Sequence, residues 1–237
     1  MAKEHFLEQH DPERGEFQVD RIVLFSDAVF AIAITLLIIE IKAPVVGPGF
    51  TTDQMLDQLY QLIPKFFGFF LSFFVIAVFW RSHHRIFGFV SNYNEKLIWL
   101  NFRFLLTIVI MPFTSAYYGE NGGMSIPFLV YHCNIILTSI TNYMLVRYVF
   151  NQSNGIVSHE PDYIFKKMFL ARGFVIPLIF LLGIAVSPFS IMLSRLSPIL
   201  VWPVFYLLRV YYTKRFKKYR VENISAHLED EAESSLS

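Results

Sequence analysis

Six stretches of mostly apolar residues, at 21–42, 57–82, 97–118, 124–147, 168–187 and 190–211, set the terms for any fold of this chain. About 20 residues of helix cross the roughly 30 Å hydrocarbon layer of a bilayer, and each stretch reaches that length once a polar residue is allowed near its ends. The chain has 54% hydrophobic and 16% charged residues, where a soluble domain carries roughly 25% charged. The fold class predicted is an all-α membrane protein with six transmembrane helices per chain. The breaks between stretches are short and rich in Pro and Gly, as in "KAPVVGPGFTTDQ", "YYGENGGMSIP" and "VSPFS".

Charge placement orients the spans, because Lys and Arg are retained on the cytoplasmic side. With the N-terminus inside, all of the 20 Lys and Arg residues except Lys42, Lys65 and Arg195 fall at or near the inner face. An even number of crossings with both termini cytoplasmic is therefore expected. Residues 1–20 form a polar cytoplasmic N-terminus, in which no cleavable signal peptide is expected. Residues 21–212 form the transmembrane domain, and 213–237 a basic then acidic cytoplasmic tail. Its basic part, "KRFKKYR", reads as a stop signal after the last span that also suits anionic membrane lipid. Its acidic part is expected to be disordered.

A net charge of +1 gives no ground for a nucleic-acid partner. The single cysteine, Cys133, excludes a disulfide within the chain and reads as a packing residue. No phosphate loop, HExxH or nucleophile elbow is present, and His83 and His84, being adjacent, point about 100° apart on a helix and make a poor metal site. Neither an enzyme nor a cofactor is expected.

Ionisable groups in hydrocarbon cost a few kcal/mol and turn toward protein or water. Near the inner end of the first span lie Arg21, Ser26 and Asp27; at matching depth in the second lie Trp80, His83, His84 and Arg85, and in the third Asn101 and Arg103. These depths suggest one hydrogen-bonded layer in which Asp27 accepts from Trp and His donors. At about 100° per residue, Ile32, Thr35, Leu36 and Ile39 make a stripe on the first helix that Ser26 and Asp27 do not share. From the pattern alone that stripe faces either lipid or something else.

Arg21, Phe25, Ser26 and Asp27 spell Arg-x-x-x-Phe-Ser-Asp, and with "FWRSHHRIF" and the Asn-bearing third span the first half of the chain resembles the endolysosomal potassium-channel family typified by transmembrane protein 175. One copy of the motif and six spans resemble its prokaryotic, single-repeat form. The resemblance implies a homotetramer around a central pore lined by the first helix, closed by large side chains at the position of Ile32, with Thr35, Leu36 and Ile39 also facing the pore. It implies potassium as the permeant ion and, for a prokaryotic form, the cell membrane as location, or an endolysosomal membrane in a eukaryote. The familiar TVGYG filter is absent, so a ring of Thr35 hydroxyls is expected to aid selectivity between the apolar rings of Ile32, Leu36 and Ile39. Glu40 and Glu120 are expected to make the outer mouth acidic, with Asp53 and Asp57 as loop charges. Arg21, Ser26, Asp27, Trp80, His84 and Asn101 are assigned to the structural layer. A proton- or cation-coupled carrier using Asp27 and the histidines is the alternative, opposed by the lack of an inverted repeat and of a span broken at midplane by Pro or Gly.

Overall fold

In the computed structural model, residues 15–121, 124–158 and 161–234 are described, and they are helical with short connections. The helices are α1 (Gly15–Ile39), α2 (Thr52–Gln61), α3 (Ile63–Phe87), α4 (Glu95–Glu120), α5 (Ser125–Val149), α6 (Tyr163–Val186), α7 (Ile191–Arg195) and α8 (Val201–Ser234). Residues 1–14 of the expected polar N-terminus lie outside the described residues, and α1 takes in the rest of it.

Among the described residues, five regions are long and apolar enough to cross a membrane: Phe17–Ile39, Thr52–Phe87, Glu95–Glu120, Ser125–Val149 and Tyr163–Val186. The second is divided. Thr51 caps α2 with a reciprocal pair of bonds to Gln54, at 2.9 and 3.3 Å. Pro64 then opens α3, where its missing amide costs nothing. The expected sixth span, 190–211, is not one helix. Ser190 caps the short α7 through the Leu193 amide at 3.2 Å, a 3-10 turn Ser197–Leu200 holding Pro198 follows, and α8 begins at Val201. The last apolar stretch is thus interrupted near Pro198. Pro112 and Pro177, by contrast, sit inside unbroken α4 and α6. The acidic tail departs from expectation as well, since α8 continues to Ser234.

α4 lies at the centre of the bundle, packed on α1, α3 and α5, while α6 bridges α5 and α8. Small residues allow the closest approach. A Cβ on Gly119 of α4 would stand 3.3 Å from the Lys65 Cα of α3, the kind of contact that draws membrane helices together. One turn deeper, Ser72 donates to Ser115 at 2.7 Å, Ser115 donates to the Gly68 carbonyl at 3.2 Å, and the Tyr131 hydroxyl lies 2.8 Å from Ser72. That buried ladder ties α3, α4 and α5 without a charge. At the opposite end the α3–α4 connection pairs with the α5–α6 connection, Ser91 and Asn92 both donating to the Ile156 carbonyl.

Cys133 is exposed rather than packed in the core. Tyr131, His132, Asn134 and Ile135 occupy the inward face of α5, which turns the residue among them outward.

Candidate ion path and its anchor

The two faces of α1 have opposite surroundings. Val19, Ser26, Phe30, Ala33 and Leu37, spaced by three, four and seven residues, are buried against the bundle. Ile32, Leu36 and Ile39 are 59%, 38% and 66% exposed, and Thr35 beside them is exposed too. Among the described residues, Ile32, Leu36 and Ile39 stand outside the packed core. The Thr35 hydroxyl donates back to the carbonyls of Ala31 and Ile32, at 3.0 and 2.9 Å.

The inner face of α1 is held at its N-terminal half by two separate hydrogen-bonded groups where one layer was expected. Trp80 Nε1 of α3 donates to Asp27 Oδ1 at 2.9 Å. Independently, His83 Nε2 donates to Asn101 Oδ1 at 2.9 Å, Asn101 Nδ2 donates to Ser26 Oγ at 2.9 Å, and Ser26 donates to the Ile22 carbonyl at 2.8 Å. This chain runs through α3, α4 and α1, and Ser26, His83 and Asn101 are all buried. His83 is further enclosed by the rings of Phe87, Phe104 and Phe30 at centroid distances of 4.2, 6.0 and 5.7 Å.

Two residues assigned to the layer lie elsewhere. His84 is exposed and stacks on Trp80 at 5.5 Å, because adjacent helical residues diverge and the buried position belongs to His83. Arg21 is exposed and donates to Gln18 at 3.3 Å. The signal for His83 was in the sequence: Ile76, Phe79, His83 and Ile86 repeat at three- and four-residue spacing, the inward period of α3. The Ser72–Ser115–Tyr131 ladder had no such signal, since an isolated serine in an apolar run is compatible with either face.

At the other end Glu40, Lys65 and Glu120 line one crevice between α1, α3 and α4. Lys65 Nζ pairs with Glu120 Oε1 at 3.4 Å, both groups being partly open to solvent. Glu120 is thus partly neutralised where an unpaired acid was expected, and Glu40 is exposed. Among the described residues no group of three or more His, Cys, Asp or Glu is arranged to hold a metal ion.

The sequence pattern of the family described as "Endosomal/lysosomal potassium channel TMEM175" matches residues 21–112, the segment that holds most of α1, all of α2 and α3, most of α4 and both anchoring groups. The crystal structure of a lysosomal potassium-selective channel TMEM175 homolog from Chamaesiphon minutus superposes with a TM-score of 0.64 at 27% identity, covering 84% of this chain and 97% of that one. Over residues 21–112 the chain resembles the TMEM175 family. This family is one of ion channels, not enzymes. Among similar proteins, a potassium channel of Chryseobacterium sp. (strain P1-3) is 27% identical over 169 residues, 71% of this chain and 82% of that protein. A potassium channel of Chamaesiphon minutus (strain ATCC 27169 / PCC 6605) is 39% identical over 109 residues, 46% of this chain and 52% of that protein, so the match spans about half its length.

Proposed function

We propose that the chain forms a potassium-selective channel of the cell membrane, a homotetramer in which four copies of α1 surround the ion path and both termini are cytoplasmic. In this arrangement α1, α3, α4, α5, α6 and the α7–α8 segment make six crossings. The observation that carries the proposal is the uncovered stripe of α1. A helix anchored by buried hydrogen bonds on one side presents Ile32, Leu36 and Ile39 on the other, and three further copies would turn those side chains toward a common axis.

The chemistry follows from what such a stripe contains. Rings of aliphatic side chains narrow a pore and close it by dewetting, while a polar ring replaces part of an ion's hydration shell. Thr35 supplies the polar ring one turn beyond Ile32. Potassium gives up water more readily than the smaller sodium ion, so a narrow and weakly polar passage favours it. Without a ring of backbone carbonyls this preference is modest. Asp27, Ser26, Asn101, Trp80 and His83 hold α1 in place and do not touch the ion. Glu40 raises the local cation concentration at the outer mouth, with Glu120 contributing less because Lys65 shares its charge.

Reconstituted full-length protein in liposomes loaded with potassium tests this directly. Potassium efflux that exceeds sodium efflux and does not saturate is the expected result. No efflux, a chloride flux larger than the cation flux, or a saturating flux driven by a proton gradient would overturn it, and the last would point to coupled transport.

A further inference from the structure

A pocket unrelated to the α1 stripe opens between α3, α5, α6 and α8, with a volume of about 270 Å³. Four guanidinium groups reach it: Arg81 and Arg85 from one face of α3, Arg172 from α6 and Arg209 from α8. No acidic side chain lines it. The Nε of Arg172 and the Oδ1 of Asn142, both buried, have no hydrogen-bond partner. Arg172 lies over the Phe205 ring at 5.9 Å, and Asn142 reaches only as far as the Ser82 hydroxyl, at 3.4 Å. Like charges gathered in a partly apolar cleft repel one another and lose hydration, which is unfavourable unless an anion joins them.

The walls say what kind of anion. Trp202 and Tyr206 of α8 border the pocket and are largely exposed on the outside of the bundle, the amphipathic residues that favour the headgroup level of a bilayer. Arginine forks bind phosphate oxygens in pairs, and basic pockets between membrane helices receive lipid headgroups. An unpaired amide acceptor beside them suits a headgroup hydroxyl.

We propose that this pocket binds the phosphate of an anionic glycerophospholipid, with the arginines on the phosphate and the acyl chains along the aromatic face of α8. The site does not depend on where ions pass. It also differs from Lys214, Arg215 and Lys217, which do not line it.

The test uses detergent-solubilised full-length protein, with native mass spectrometry and thermal melting in added phosphatidylglycerol, phosphatidylcholine of the same chains, or inorganic phosphate. Phosphatidylglycerol should stay bound and raise Tm, while the other two should do neither. R85Q/R209Q changes two exposed side chains, so folding should survive, and it should weaken phosphatidylglycerol binding at least about tenfold. K214Q/R215Q/K217Q should leave it within about twofold, since charges outside the cavity contribute little to the tightly held lipid. Equal binding of phosphatidylcholine would overturn the proposal, as would unchanged affinity in R85Q/R209Q or loss confined to the tail variant. An equal Tm rise with inorganic phosphate alone would replace the lipid by a soluble anion and overturn it too.

Discussion

Asn101 is bonded on both sides, accepting from His83 and donating to Ser26, so truncating it strands two buried groups at once. Asn101→Ala should cost about 1–2 kcal/mol, read as a lower Tm in detergent, whereas His84→Ala, on an exposed ring, should change Tm little. On the opposite face of α1 the expected effects are on conduction and not on folding. Ile32→Asn puts a hydrated side chain where the passage is proposed to be narrowest. It should raise single-channel conductance and admit sodium more freely, and unaltered currents would move the constriction elsewhere. Thr35→Ala removes the one hydroxyl of the stripe and should lower the potassium-to-sodium permeability ratio in bilayer recordings, with little change in Tm. Sequence reading at this scale was good where period and chemistry agreed. Angle grouped Ile32, Thr35, Leu36 and Ile39 but left open what they face, while depth matched Asp27 to a Trp donor, the bond that Trp80 makes. It failed for His83 and His84, where depth was read without period, and for Glu120, whose partner Lys65 is 55 positions away and is brought near only by the close packing of α3 on α4.

Elements were legible wherever hydrocarbon thickness dictated their length. α1, α4, α5 and α6 follow from about 20 apolar residues each, and their ends shift by a turn or so because capping residues such as Asn94, which accepts from the Leu97 amide at 2.9 Å, set boundaries that hydropathy does not register. Hydropathy also says nothing of continuity. α2 is a separate capped helix before Pro64, and the last crossing is interrupted around Pro198, although proline leaves α4 and α6 whole. α4 packs on three helices, while the break before α8 falls where Ser194 and Ser197 approach Gly183 closely. Close approach likewise governs the α3–α4 pair. Gly119→Val should push the two helices apart, cost about 1–3 kcal/mol as overpacking does, and weaken the Lys65–Glu120 contact, all visible as a reduced Tm.

As a whole molecule, one protomer has a well-buried interior around α4 and leaves one side of its first helix uncovered. A single such helix cannot enclose a path, so native mass spectrometry should find four chain masses as the main species, and a monomer that still conducts would be incompatible with the proposed pore. The number of copies was not readable from spacing or hydropathy, because an apolar face turned to lipid and one turned to three sister subunits have the same composition. The Thr35 hydroxyl carries one more consequence. Its hydrogen is already engaged by the backbone carbonyls of Ala31 and Ile32, so what it offers outward is lone pairs alone. In the proposed pore a chloride ion would need hydrogen donors and find none at this ring, whereas a cation would find oxygen. A residue without charge would there distinguish the sign of an ion through the direction in which a single proton points.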